Sequence, residues 1–323
     1  IWEIMYSTSL VKIRDATFFK RLMFNFSLKL GNIATERRLN RSFNDLIARI
    51  LLLIAHILSF RTLKKKLGLS KIAIAISGAA PISPEILKFF MALGVPIFEA
   101  YGMTENCAYV TSNDFEIIEI GSVGRPHENC EIKIADDGEI LTRHGGTFKG
   151  YFKDEKSTRE VIDEEGWLHT GDVGEITERG SLIITDRKKD IIMTSGGKNV
   201  SPSEIENKIK ASPFIKDALV VGDRRKFLSC LVAIEFETVS NWALRKKIPF
   251  TTYRDLTEKS EVRELVSKEI IRANEETSSL QVRKFELIPK ELDHEDGELT
   301  ATQKIKRNVI IEQFSELVES MYK

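Results

Sequence analysis

Apolar and polar positions along the chain fall into three textures. Residues 1 to 67 contain no Pro and a single Gly, Gly31, and their apolar positions predict helices. Leu46, Ile47, Ile50, Leu51, Ile54, Ile57 and Leu58 recur at helical spacing within LIARILLLIAHILSF, residues 46–60. This run carries Arg49 and His56 and falls short of the roughly 20 residues that a bilayer-spanning helix needs. The pattern therefore favours a core helix over one lying on a membrane. Lys64-Lys65-Lys66 just beyond it reads as a solvated helix end, or as the basic flank that an anionic membrane surface attracts.

The second texture begins at Lys71. Ile72-Ala73-Ile74-Ala75-Ile76 predicts a strand, and Ser77-Gly78-Ala79-Ala80-Pro81 a turn of small residues. Ser83 then caps a helix with Pro84 at its first position, running to about Leu93. Val95-Pro96-Ile97-Phe98-Glu99 is a second apolar strand. Together these form a βαβ unit with parallel strands and a right-handed crossover. Both strand ends, at Ser77 and Tyr101, open on one edge of the sheet. Residues 107–185 read as strands and turns, broken at Gly121, Gly124, Gly138, Gly145-Gly146 and Gly150.

The third texture follows the charged run Asp186-Arg187-Lys188-Lys189-Asp190. Thr194-Ser195-Gly196-Gly197-Lys198-Asn199 predicts a polar loop. Ser201-Pro202-Ser203-Glu204 has the form of a capping box opening a helix to Lys210. Strands are expected at 218–221, 228–236 and 284–288, with helices at 239–247 and 255–277. The expected fold is α/β. A large domain (1–186), with a parallel βαβ sheet and a β-rich subdomain, precedes a small α+β domain (187–323), with the hinge at 186–190.

Composition narrows the function classes. Lys+Arg 48 balance Asp+Glu 48, so no global charge points to nucleic acid. The three cysteines, Cys107, Cys130 and Cys230, fit no metal-ligand spacing, and their odd number argues against a disulfide framework. A reducing, cytoplasmic compartment is expected. The chain starts at Ile1 with no basic segment and cleavage site, which reads as a piece of something longer without a signal peptide. There is no internal repeat.

Several stretches carry chemistry. Tyr101-Gly102-Met103-Thr104-Glu105 leaves a strand end, where ligands sit in open α/β sheets. Tyr101 suits a base, Gly102 lets a phosphate approach the backbone, Thr104 can donate to phosphate oxygen, and Glu105 can hold Mg²⁺. The bland reading is a capped strand-to-turn transition. In Gly166-Trp167-Leu168-His169-Thr170-Gly171-Asp172, a carboxylate after a Thr-Gly turn can accept both ribose hydroxyls; an ordinary Asx turn is the alternative. Lys304, in LTATQKIKR (residues 299–307), stands on a polar turn before a terminal helix and reads by itself as a surface lysine.

In order, SGAAP, YGMTE, GWLHTGD, DRKKD, SGGKN and LTATQKIKR resemble the adenylate-forming superfamily. The resemblance covers essentially the whole chain and is greatest to the long-chain fatty acyl-CoA synthetases, through TSGGKNVSP and LTATQKIKR. It implies that a fatty carboxylate attacks the α-phosphate of Mg²⁺-ATP to give acyl-AMP, from which CoA displaces AMP. Fatty acid, ATP and CoA would be the small-molecule partners, with no nucleic acid and a peripheral membrane contact as a further option.

Matched by position, Gly78, Ala79 and Ala80 form the adenine-side loop, completed by Glu99, Ala100 and Tyr101. Gly102 belongs to the same nucleotide-binding motif. Thr104 meets phosphate, Glu105 holds Mg²⁺, Asp172 binds ribose and Arg187 supports it. Lys189 falls at the hinge, about which the small domain rotates between the half-reactions. Ser195, Gly196 and Gly197 line the thioester-forming pocket, and Lys304 reaches the α-phosphate.

The chain departs from the pattern in two places. Residues 1–100 hold no Ser/Thr/Gly-rich, lysine-bearing phosphate loop, and IWEIMYSTSL resembles a stretch that follows that loop. The expectation is a carboxyl-terminal portion that is inactive alone. Met193 stands where many relatives carry lysine. The rival readings are an adenylating enzyme with another acid or a carrier-protein acceptor, and a non-catalytic AMP-binding or membrane-associated remnant.

Overall fold

Helices form where the 3.6-residue pattern predicts them at the start of the chain: α1 (Trp2–Arg14), α2 (Phe18–Asn40), α3 (Leu46–Ala55) and α4 (Arg61–Lys66). A π-helical turn, His56–Phe60, joins the last two. The computed structural model describes residues 1–40, 44–79, 82–116, 118–275, 277, 280–300 and 304–323. The chain divides into two compact units, Ile1–Lys189 and Asp190–Lys323.

Asp45 fixes the start of α3. Its carboxylate accepts the Ala48 N–H at 2.8 Å and pairs with Arg37 of α2 at 2.8 Å, so one side chain caps α3 and fastens it to α2. The edge-on contact of Phe24 with Phe60, 5.9 Å between ring centroids, closes the other end. Only the face bearing Ala48, Ala55 and Phe60 is buried. The apolar positions on the other side stand in solvent, from Leu46, 68% exposed, to Ile57, 70% exposed. The expectation of a core helix is corrected: α2 covers one face of α3, and the apolar run extends round to the opposite one.

The βαβ unit is present as β1 (Ala75–Ser77), α5 (Pro84–Ala92) and β2 (Ile97–Tyr101). Ser83 accepts the Glu85 N–H as N-cap, with Pro84 beside it. β1 and β2 are parallel, in register Ala75↔Ile97, Ile76↔Phe98, Ser77↔Glu99. β1 is shorter than the expected 72–76 strand because it pairs only along those three residues. It is an edge strand, with Ile74 and Ile76 exposed. The short strands β3 (Thr111–Ser112) and β4 (Arg125–Pro126) complete this sheet in antiparallel order.

An antiparallel meander follows: β5 (Glu131–Ile134), β6 (Glu139–Arg143), β7 (Leu168–Ile176) and β8 (Leu182–Arg187). Between β6 and β7 lies a helix that the sequence did not announce, α6 (Glu155–Val161). It is polar on all sides, so no apolar stripe betrays it, and Asp154 caps it by accepting the Ser157 N–H at 3.0 Å. The small core of Tyr101, Val110, Cys130, Ile140 and Leu182 joins the two sheets.

The second unit opens with the short pair β9 (Ile192–Met193) and β10 (Asn199–Val200), then α7 (Pro202–Lys210). Ser201 occupies the N-cap of α7, yet its side chain makes no capping hydrogen bond, so the expected capping box is not formed. The central sheet runs β11 (Ile215–Val221), β12 (Leu228–Ile234), β13 (Val282–Leu287) in spatial order. β12 is buried along its whole length. Leu228, Cys230, Val232 and Ile234 face the core that includes α7, α8 (Phe236–Arg245), α9 (Tyr253–Thr257) and α10 (Ser260–Glu275). Leu231 and Ala233 face α11 (Arg307–Gln313) and α12 (Ser315–Ser320). A strand covered by helices on both faces reads as a continuous apolar run. The expected 255–277 helix is two helices, because Thr252 caps α9 and the chain turns before Ser260.

Leu231→Ala should therefore lower the stability of the second unit by about 2–5 kcal/mol, the cost of a cavity in a fully buried site. Urea unfolding followed by circular dichroism measures it, and a change below about 1 kcal/mol would contradict a two-sided core around β12.

Candidate active site

The end of β2 and the middle of β7 meet through three side chains. Tyr101 donates its phenol to Asp172 Oδ2 at 2.7 Å, and Arg187 Nε lies 3.3 Å from Asp172 Oδ1. Asp172 and Arg187 face each other across β7 and β8. Asp172 is 7% exposed, and a carboxylate so far from water needs such partners. The three residues come from motifs spread over 86 positions, and the fold brings them into one cluster.

The geometry of β7 explains how Asp172 gets there. Thr170-Gly171-Asp172 was expected to be a turn; it is a bulge inside the strand. Partners change from Leu141↔His169 to Glu139↔Val173, so β7 uses four steps where β6 uses two. Gly171 takes φ +69°, in the left-handed region that favours glycine. Thr170 donates to the Ile140 carbonyl at 2.7 Å and accepts the Asp172 N–H at 3.2 Å.

Within YGMTE the fold sets two constraints of its own. Tyr101 is buried, its ring packs in the small core joining the sheets, and its hydroxyl is given to Asp172. At Gly102 a Cβ would lie 2.4 Å from Ala108 Cα and C. The chain's own backbone already requires glycine there. Thr104 and Glu105 form a single 3-10 turn, Thr104–Asn106, from which Thr104 is exposed and Glu105 half-buried.

Glu99, of the adenine-side group, is 7% exposed and its Oε2 has no hydrogen-bond partner among the described residues. Burial pushes its carboxyl up to about 8 against one backbone hydrogen bond from Gly121. Gly78 lies close under the Ala100 carbonyl, where a Cβ would come within 3.2 Å, and Ala79 takes φ +69°. Ala80 lies outside the described residues.

Lys188 ends the first unit's network. Its ammonium lies 2.6 Å from Asp137 Oδ2 and 3.0 Å from Glu139 Oε2. Glu139 also accepts the Gly171 N–H at 2.9 Å and meets His169 Nδ1 at 3.2 Å. Burial raises the Glu139 carboxyl, but its bonds from Lys188, His169 and Gly171 hold it below the usual carboxylate range. Lys189, next in the chain, is the last residue of the first unit.

Ser195, Gly196, Gly197 and Lys304 belong to the second unit. Ser195 donates its N–H to the Arg225 carbonyl at 3.0 Å, and Gly197 turns the loop at φ +74°. Lys304 is exposed, and its backbone is tied to Thr300 in both directions, N–H to Oγ1 at 3.0 Å and carbonyl to N–H at 2.8 Å.

Two family models describe this chain: AMP-binding enzyme over residues 37–152, and AMP-binding enzyme C-terminal domain over residues 189–323. The chain belongs to the AMP-binding enzymes. Among curated relatives, it is 38% identical to the long-chain-fatty-acid–CoA ligase FadD15 of Mycobacterium bovis over 82% of this chain and 44% of that protein. It is 30% identical to the long-chain-fatty-acid–CoA ligase ACSBG2 of Xenopus laevis over 100% of this chain and 46% of that one. The chain thus spans less than half the length of either. Among solved structures, the adenylation domain of a carboxylate reductase from Mycobacterium chelonae has the same fold. Its TM-score is 0.65 at 21% identity, covering 94% of this chain and 45% of that one.

In this AMP-binding enzyme, sequence reasoning missed the residues that hold the candidate site in place. Tyr151 donates to Glu105 across 46 positions. Glu139 and Lys188 were seen only as parts of a strand and a charged run. Among them only the breaker Gly150, just before Tyr151, marked the chain locally.

The buried Glu99 makes stability depend on pH. Its carboxyl is protonated in the folded chain up to about 8, whereas the unfolded chain ionises near the ordinary glutamate value, about 4.3. Between those values the folded state binds more protons, so stability falls as pH rises through the window and levels off above it. Urea midpoints across that range should show the decline, and Glu99→Gln should flatten it; an unchanged slope in that variant would assign the dependence elsewhere.

Proposed function

We propose that this chain carries the AMP-, hinge- and CoA-side machinery of an enzyme that activates a long-chain fatty acid with ATP and transfers the acyl group to CoA. The observation that carries the reading is the Tyr101–Asp172–Arg187 cluster: a buried, doubly held carboxylate beside the end of β2, in a chain 38% identical to a long-chain ligase.

In the first step, a carboxylate oxygen of the fatty acid attacks the α-phosphorus of ATP, forming the acyl-phosphate bond and releasing pyrophosphate. No general base is needed, since the attacking carboxylate is ionised at neutral pH. Asp172 accepts the ribose hydroxyls, and Thr104 donates to phosphate. Lys304 adds positive charge at the α-phosphate, where alignment and charge stabilisation are the main demands. Glu105 fits a Mg²⁺ ion held on the phosphates, because one carboxylate completed by phosphate oxygens and water is its usual nucleotide setting. When bound, Mg²⁺ would neutralise phosphate charge. In the second step, the CoA sulfur attacks the acyl carbonyl carbon and AMP leaves. Ser195, Gly196 and Gly197, with no bulky side chain, would line the path of the thiol. We assign the hinge to Lys189 and its neighbours. The chain by itself is proposed to bind AMP without completing the reaction.

Calorimetric titration with AMP tests the site. Wild-type chain should bind, and Asp172→Ala should weaken binding by at least about tenfold, the worth of hydrogen bonds to a charged group. Equal affinity in the variant would remove Asp172 from the site, and palmitoyl-CoA formation by the 323 residues alone would overturn the claim of inactivity.

The membrane contact is proposed for the outer face of α3. Leu46, Ile50, Leu53, Ile54 and Ile57 are exposed along it. Between Phe18 and Lys66, eleven Lys and Arg stand against two acidic residues in a chain of zero net charge. Exposed apolar stripe and basic surround together match an anionic lipid surface. The chain should co-sediment with phosphatidylglycerol vesicles, and Ile54→Glu with Ile57→Glu should release it. Vesicle binding unaffected by that pair would assign the stripe to a protein surface.

A further inference from the structure

Glu105 is gripped at two points by one segment of chain. Phe148 donates its backbone N–H to the Glu105 carbonyl at 2.7 Å, and Tyr151 donates its phenol to Glu105 Oε1 at 2.9 Å. One contact fixes the backbone of the carboxylate residue and the other its side chain.

The segment that does this is itself fixed. The Tyr151 N–H donates to Thr158 Oγ1 at 2.9 Å, and Thr158 Oγ1 donates onward to the Asp154 carbonyl at 2.7 Å. Asp154 is the N-cap of α6, and its carboxylate accepts from both the N–H and the hydroxyl of Ser157. The rings of Phe148 and Tyr151 meet edge-on, 5.0 Å between centroids. Gly150 between them takes φ +139°, and a Cβ there would come within 2.6 Å of Thr158 Cγ2. The strap from residue 148 to α6 is therefore held at several points along its length.

We propose that Tyr151 is a positioning residue for the Glu105 carboxylate, holding one oxygen so that the group is already oriented when nucleotide and divalent cation bind. This rests on the reading of Glu105 as the carboxylate that serves Mg²⁺. Among the described residues no three His, Cys, Asp or Glu side chains group to hold a metal ion by themselves. Any such ion would depend on phosphate oxygens and one well-directed carboxylate.

The chemistry of the partner matters here. A free glutamate loses side-chain rotamer entropy when it is fixed by a ligand, and prior ordering reduces that cost. Tyr supplies the order through a rigid ring with two side-chain torsions. Its hydroxyl is a neutral donor, so the negative charge of Glu105 stays available to a cation. A Lys or Arg at the same place would order the carboxylate while competing for its charge.

The test is ATP binding by calorimetry as a function of Mg²⁺ concentration, with metal-free AMP binding measured beside it on the full chain. Tyr151→Phe keeps the ring and its contact with Phe148 and removes only the hydroxyl. It should raise the Mg²⁺ concentration for half-maximal tightening of ATP binding by about tenfold or more, the worth of one hydrogen bond to a charged group. AMP affinity and melting temperature should stay unchanged. In a Glu105→Gln background the same substitution should have no further effect on the Mg²⁺ requirement, since Tyr151 acts only through that carboxylate. An unshifted Mg²⁺ requirement with AMP binding intact would overturn the proposal. So would parallel losses of AMP affinity and melting temperature, which would make the strap merely structural. Failure of the wild-type chain to bind AMP at all would instead remove the nucleotide-site reading beneath it.

Discussion

The buried carboxylate of Asp172 is the constraint on which the rest of the first unit's site depends. A charge taken that far from water is tolerable only when both oxygens are met, and removing one partner of such a group typically costs about 3–5 kcal/mol. Here Tyr101 and Arg187 meet one oxygen each. Tyr101 ends a strand of the parallel pair, and Arg187 ends the last strand of the antiparallel meander. Satisfying one carboxylate thus holds the functional ends of two sheets in register. The apolar core at their junction supplies contact area, but area is non-directional. The direction comes from Asp172.

The bulge that aims Asp172 is held by a second carboxylate. Glu139 accepts the N–H of Gly171 with one oxygen and the ammonium of Lys188 with the other. Lys188 stands two positions before the start of the second unit at Asp190. The same short network therefore fixes the backbone beside Asp172 and the chain leading to the unit boundary. A backbone rotation at Lys189 would begin from a residue already pinned to the β5–β6 hairpin. Lys188 is exposed enough for water to screen each contact, so the anchoring comes from geometry and number of partners rather than from any one ion pair.

Much of the fold was legible because it follows from local rules. Pro84 beside the Ser83 cap, the apolar run of β12 and the small-residue ends of β1 and β2 each state their element within a few residues. The failures share a cause as well. The 46–60 run signals a helix by its period, but period does not say what lies opposite each face, and α2 covers only one. Thr170-Gly171-Asp172 looks like a turn because a glycine in the left-handed region serves a turn and a bulge equally; only pairing with β6 decides. The crowding of Gly102 by Ala108 was not legible, because the fold of the loop brings Ala108 there. Residues expected to touch ligand stood out as motifs. Those that hold them, Tyr151 and Glu139, did not, since a tyrosine or glutamate in a polar stretch carries no mark of a partner dozens of positions away.

Lys304 shows how an exposed charge can be placed without being buried. On one side of it the Leu299–Ile305 bridge closes a short loop, with the Lys306 N–H donated to the Glu298 carbonyl at 2.8 Å. On the other, Arg307 binds both oxygens of Glu206 at 2.8 and 2.9 Å and donates to the Val220 carbonyl at 2.9 Å. Nη2 serves Glu206 and Nη1 serves Val220, so two nitrogens of one planar guanidinium are held at once. It ties the start of α11 to α7 and β11, three residues from the lysine. The side chain is exposed and keeps its four-carbon reach, while the backbone that carries it is set by groups withdrawn from solvent. The α-phosphate role proposed above for Lys304 calls for that combination. A loose base would lose its aim.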